Sequence, residues 1–176
     1  EELAISFGRE ILNLPPLFLQ REWLYTNGLG GYASSTVTNC NTRSYHGLFV
    51  AAIPPSGERL VLVDRLEETV VYHNEKNKEY FLSTNEYQDT VFPQGFLHLE
   101  KFNSRPHPEW MYQLNGLQLQ KRIIMEHSKN LTAIQYVNNS EVALTLTVKP
   151  LVTYRTIHQL RKFTDWWKWG ERVVAQ

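Results

Sequence analysis

The stretch Trp110–Leu119, WMYQLNGLQL, decides the fold class. Trp110, Tyr112 and Leu114 alternate with Met111 and Gln113, the two-residue period of a strand with one buried face. Asn115-Gly116 follows, a pair that accepts positive φ and closes tight hairpins. Leu117 and Leu119 then resume the alternation, and Ile123 to Glu126 extends it.

The same grammar repeats on both sides. Leu131 to Val137 alternates, Asn138-Asn139-Ser140 turns the chain, and Val142, Leu144, Leu146 and Val148 alternate again. Upstream, Pro54-Pro55-Ser56-Gly57 separates the apolar runs Leu48 to Ile53 and Leu60 to Val63, which predicts a hairpin. Leu66 to Tyr72 and Tyr80 to Leu82 read as further strands, and His73 to Glu79 as a hairpin loop. Phe92-Pro93-Gln94-Gly95 reads as a turn. Leu3, Ile5 and Phe7 suit an edge strand, and Pro15-Pro16 an extended link. Arg105-Pro106-His107-Pro108 forbids regular structure. Residues 150 to 162 leave the pattern. No long helical period occurs. Eight or more short strands joined by turns predict an all-β fold, an antiparallel β-sandwich (supersandwich-like) with little helix.

Composition bounds the function. The chain has 176 residues, 42% apolar and 20% charged, enough for a folded domain with a sizeable core. Lys plus Arg equals Asp plus Glu at 18 each, so net charge gives no reason to expect nucleic acid or a membrane surface. Cys40 is the only cysteine, which excludes an intrachain disulfide and a cysteine-based zinc site. No apolar run approaches the roughly 20 residues of a membrane span. With Glu1 and Glu2 in place of a signal-peptide pattern, the expectation is a cytoplasmic protein, and the sequons at Asn130 and Asn138 are read as chance.

The densest chemistry lies in Glu22–Ala52, EWLYTNGLGGYASSTVTNCNTRSYHGLFVAA. Gly28, Gly30 and Gly31 signal positive φ or close backbone approach. Asn27, Arg43, Tyr45 and His46 suit a neutral, hydroxyl-rich ligand such as a sugar, and suit equally a loop cross-linked by hydrogen bonds. The six histidines lack metal-ligand spacing on a helix, Ala33-Ser34-Ser35 is no nucleophile elbow, and the glycine loop lacks P-loop spacing. No metal and no cofactor are expected. Neighbouring strand residues point opposite ways, so Glu67 and Glu68 cannot flank one ligand as a glycosidase carboxylate pair.

This stretch resembles the N-terminal domain of bacterial and archaeal-type glycogen debranching enzymes, the amylo-α-1,6-glucosidases. The resemblance is carried by Glu22-Trp23-Leu24, Asn27 to Ser34, Asn41-Thr42-Arg43 and Tyr45-His46-Gly47-Leu48. It extends over about residues 20 to 160, through Leu66-Glu67-Glu68, Pro108 to Tyr112, Lys121-Arg122, Met125, His127, Pro150-Leu151, Arg155 and His158. Ser35, Ser44 and Gln94 depart from the pattern, and none is visible after about Lys162.

The resemblance implies a non-catalytic module, residues 1–162, that braces an α/α-barrel carrying the glucosidase carboxylates. That barrel is not in this chain. Residues 163–176, with Trp166, Trp167 and Trp169, read as an orphaned interface, tail or truncated linker. Trp23, Asn27, Tyr32, Arg43, Tyr45, His46 and Trp110 are the candidate substrate-binding residues, for an α-glucan such as glycogen or limit dextrin. The competing reading of Arg43 is a buried arginine that bonds loop carbonyls, and that of the aromatics is core. A strand through Arg43, Tyr45 and Gly47 is expected to put these three on one face, beside the glycine loop. The isolated chain is expected to lack glucosidase activity and to self-associate as a homo-oligomer. The rival readings are a stand-alone carbohydrate-binding or protein-interaction module and, more distantly, a complete small hydrolase. The reading frame after Gln176 discriminates them.

Overall fold

The computed structural model describes residues 4–14, 17–73 and 78–159. They form an antiparallel β-sandwich. One sheet has five strands: β1 (Ser6–Gly8), β9 (Leu99–Asn103), β10 (Glu109–Leu114), β11 (Leu117–Met125) and β12 (Thr132–Asn138), adjacent in that order. The other runs β13 (Leu144–Thr156), β5 (Glu58–Tyr72), β4 (Gly47–Ile53), β3 (Tyr32–Thr36) and β2 (Glu22–Thr26). Strand β6 (Glu79–Phe81) takes the place of β4 along the far part of β5, pairing Phe81 with Thr69. A small hairpin, β7 (Thr84–Tyr87) and β8 (Thr90–Gln94), stands apart from both sheets. Two four-residue helices, α1 (Arg9–Leu12) and α2 (Leu17–Gln20), and a 3-10 turn at Gly95–His98 complete the described elements.

The strand that decides the fold reads as expected. Trp110, Tyr112 and Leu114 point into the core, and Asn115 (φ 53°) and Gly116 (φ 87°) make the two positive-φ residues of the turn. The core lies between the sheets. Trp23 of β2 and Trp110 of β10 meet edge to face across it, with centroids 5.3 Å apart. Such a pair adds about 0.5–1.5 kcal/mol to its area burial. Both indole N–H groups are satisfied: Trp23 Nε1 donates to Thr36 O and Trp110 Nε1 to Val37 O. Two buried donors thus pin the Thr36–Val37 turn from both sheets.

Three segments differ from expectation. Leu60 to Val63 and Leu66 to Tyr72 are one continuous strand, β5, with a register shift against β13 between. Residues 150–156, expected to leave the strand pattern, are the second half of β13. Pro150 is tolerated there because β13 is an edge strand, where a missing N–H leaves no ladder bond unmade. Pro93, read as part of a turn, likewise sits within the short hairpin strand β8. The Pro15-Pro16 link, most of the 73–79 loop and the Trp-rich segment lie outside the described residues.

Candidate functional site

The glycine loop is a lock between the sheets. Asn27 is fully buried. Its Oδ1 accepts the Leu29 N–H at 2.9 Å, and its Nδ2 donates to Lys129 O at 2.8 Å. Ser128 N–H donates to Asn27 O, and Asn130 Nδ2 to Ala52 O. The β2–β3 loop is therefore held on the β11–β12 loop of the opposite sheet. The glycines permit it. A Cβ on Gly31 would stand 2.6 Å from Asn27 Nδ2 and 2.9 Å from Val50 O, and one on Gly28, at φ +79°, would enter the His127 ring.

Beyond the loop, Asn41-Thr42-Arg43-Ser44-Tyr45-His46 forms a turn, and strand β4 begins only at Gly47. The expected strand face of Arg43, Tyr45 and Gly47 is thus not formed. The cause is His46, 2% exposed. Its Nδ1 accepts the Thr42 N–H at 3.0 Å, and its own N–H donates to Arg43 O at 3.0 Å, which curls the chain. An accepting Nδ1 places the ring proton of the neutral imidazole on Nε2, 3.5 Å from Glu22 Oε1. Burial holds the His46 pKa below its ordinary value, and outweighs the opposing pull of Glu22.

Arg43 is not the buried arginine. Its side chain is 65% exposed, and its Nε pairs with Glu22 Oε1 at 2.8 Å. The carbonyl-bonding role belongs to Arg155 of β13, which donates to Ser44 O at 2.6 Å, His46 O at 3.2 Å and Asp64 Oδ1 at 3.2 Å. Tyr32 OH donates to Tyr45 O at 2.7 Å, and the exposed Tyr45 ring meets His158 edge to face, its OH 3.2 Å from His158 Nδ1. Burial raises the Tyr32 pKa, opposed by Arg59 and Arg155.

Glu22, Trp23, Tyr32, Arg43, Tyr45 and His46 line an open concavity of about 520 Å³ with Leu24, Gly30, Ser34 and Arg59, while Arg155 and His158 hold the turn from outside that lining. Arg59 Nε donates to Gly30 O, fixing the guanidinium on the rim. Of the predicted site residues, Tyr32, Arg43, Tyr45 and His46 come together here, and Trp23 lies at the floor. Asn27 belongs to the lock and Trp110 to the core, with no ring face open to a ligand. Glu22 and Arg59 are lining residues absent from the predicted set, and Arg155 and His158, also absent from it, support the turn without lining the concavity. Glu22, Arg155 and His158 stood in the matching pattern, which was the available signal; Arg59 had none.

The concavity offers guanidinium, phenol, hydroxyl and imidazole groups, and Glu22 is the only carboxylate in its lining. Cys40 lies buried beside the turn, its thiol pushed up to about 11 by burial, which leaves it no thiolate to react at neutral pH. Glu68 is buried in the core, away from the concavity. Among the described residues no group of three His, Cys, Asp or Glu side chains is placed to hold a metal ion, and no helix is long and apolar enough to cross a membrane.

Comparison with curated proteins and with solved structures returned no match. The family model described as glycogen debranching enzyme N terminal matches residues 21–173. The match spans the glycine lock, the His46 turn and the concavity, and it runs past Lys162 through Trp166, Trp167 and Trp169. The chain belongs to the glycogen debranching enzyme N-terminal family.

Proposed function

We propose that this domain is the non-catalytic N-terminal module of a glycogen debranching-type amylo-α-1,6-glucosidase. Its concavity forms one wall of an α-glucan site that a following α/α-barrel completes. The supporting observation is the His46 turn. It is braced from below by Arg155 and holds Arg43 and Tyr45 outward on a rigid base, as a wall that meets sugar or a packed domain requires. Glycoside hydrolysis uses two carboxyl groups roughly 5–9.5 Å apart. Glu22 alone in the concavity fits a supporting wall and leaves the chemistry to the partner domain.

Glucose release from a branched dextrin tests this, with the 176-residue chain alone and with the following domain attached. The isolated chain is expected to be inactive and the longer protein active. Arg43→Ala and Tyr45→Ala are expected to lower kcat/KM of the longer protein. Activity of the isolated chain that survives purification and is lost on mutating one of its acids would overturn the reading. So would a longer protein indifferent to both substitutions.

A further inference from the structure

A second surface carries side chains that the concavity does not use. In β6, Tyr80 points inward and Phe81 outward; in β8, Val91 points inward and Phe92 outward. Phe81 is 42% exposed and Phe92 62%, at strand positions where alternation ordinarily places polar residues. Their rings lie side by side, centroids 6.4 Å apart and tilted by 49°.

Neither ring is needed to anchor the hairpin. Phe96 does that, buried and stacked on Phe18 at 4.5 Å. Gly95 N–H donates to Ser83 O, and a Cβ on Gly95 would collide with Leu82 O at 2.0 Å. The hairpin is thus seated tightly on the chain that leaves β6, and the Phe81–Phe92 pair is displayed on a fixed base.

The two rings form one side of a groove of about 480 Å³, with Leu97, Thr90, Gln94 and His98 around them. That volume lies within the roughly 300–1,000 Å³ of small-molecule clefts. The charges in its lining are Lys78 and Glu79, which cancel. Burial, with Lys78 nearby, holds the His98 imidazole below its ordinary pKa, and its ring packs edge to face on Tyr80. The groove is therefore neutral and lined by aromatic rings together with hydroxyl, amide and imidazole groups. Charged polymers gain nothing there, whereas a pyranose offers an apolar C–H face to the rings and hydroxyls to the polar groups.

We propose that the Phe81–Phe92 groove is a second, non-catalytic α-glucan-binding site, which holds an outer chain of the polymer while the concavity serves a branch. The choice of α-glucan rests on the functional reading above. The two sites are far apart on one strand. Arg59, at the concavity, and Thr69, the partner of Phe81, are separated by ten positions of β5, up to about 33 Å of strand. A linear α-glucan of several residues spans such a gap and can occupy either site separately.

Electrophoresis of the 176-residue chain in gels with and without glycogen, and calorimetric titration with maltoheptaose, test the site. The wild-type chain is expected to be retarded by glycogen. Phe81→Ala with Phe92→Ala should weaken binding at least about tenfold, as for an aromatic hot spot, with Val152→Ala, an exposed residue of β13 that lines neither site, retaining it. Phe92→Thr alone keeps a strand-forming side chain and reads the same site should the double variant unfold. A folded wild-type chain that is not retarded overturns the proposal. Retardation lost in Tyr45→Ala but not in the phenylalanine variants also overturns it and leaves the concavity reading standing. Loss of self-association in the double variant, without any glycogen retardation of the wild type, would make the patch a contact between copies instead.

Discussion

Lys121 Nζ stands 2.7 Å from Glu68 Oε1, with the two side chains 3% and 2% exposed. The pair joins the sheets through β11 and β5. Tyr136 of β12 donates a further hydrogen bond to the same carboxylate oxygen, and the ammonium lies 5.6 Å from the Trp110 ring centroid. Lys121→Met leaves an uncompensated carboxylate in the core and is expected to cost about 3–5 kcal/mol. The triple change Glu68→Leu, Lys121→Met, Tyr136→Phe removes every polar partner at once and should recover most of that loss. Urea unfolding of both variants checks the order; a triple variant less stable than Lys121→Met would contradict it.

Two arginines near the His46 turn should behave oppositely. Arg43→Ala removes an exposed ion pair and is expected to change stability by no more than about 1 kcal/mol. Arg155→Ala takes the guanidinium from three carbonyls, those of Ser44, His46 and Gln159, and leaves Asp64 with Arg65 alone, at about 1–3 kcal/mol for the unmet bonds. Thermal unfolding of the two variants measured side by side gives the comparison.

The buried His46 makes stability depend on pH. Its folded pKa lies below the ordinary value because burial disfavours the imidazolium. The unfolded chain then binds a proton that the folded chain refuses. This contribution is fully present above the unfolded pKa of about 6.5 and is lost progressively as pH falls from there toward the folded value. His46→Asn keeps an acceptor for the Thr42 N–H and removes the titration. Between about pH 7.5 and 5 the wild-type melting temperature should fall more steeply than that of the variant. His98 is shifted in the same direction in both proteins, so it cancels in the difference.

Glycines at the lock and at the hairpin should separate. Gly31→Ala drives a methyl into Asn27 Nδ2 and Val50 O, an overpacking that costs about 1–3 kcal/mol. Gly116→Ala meets nothing within 4 Å and bears only the strain of φ +87°, about 1–2 kcal/mol. In the longer protein, only Gly31→Ala is expected to lower activity as well, because it moves the rim that carries Gly30 and Arg59. Melting temperatures and dextrin kinetics of both variants test this.

The strands were legible because burial imposes a two-residue period that a sequence displays directly. Trp110 to Leu119 and the pairing of β10 with β11 came from that period and from Asn115-Gly116. What failed was position without period. Pro93 and Pro150 look like breaks unless their strands are known to lie outside the sheet interior. Arg43 and Arg155 are chemically alike, and which one is buried depends on a contact between residues 109 and 111 positions apart. The strand expected at Arg43 gave way to a turn because the His46 ring competes for the Thr42 amide. The motif as a unit was readable; the division of labour inside it was set by chain brought in from elsewhere.

The lock between the glycine loop and the β11–β12 loop also dictates when this region can form. Asn27 and Lys129 are 102 positions apart. At synthesis rates of about 5–20 residues per second, Lys129 emerges roughly 5–20 s after Asn27. Throughout that interval the Asn27 amide lacks its Lys129 carbonyl and Gly28 lacks the His127 ring it approaches. Until then the β2–β3 loop has its own turn bonds and Arg59 to hold it, and no tie to the opposite sheet. It becomes a rigid wall late, when the second sheet arrives, and the site matures in the order in which its partners are translated.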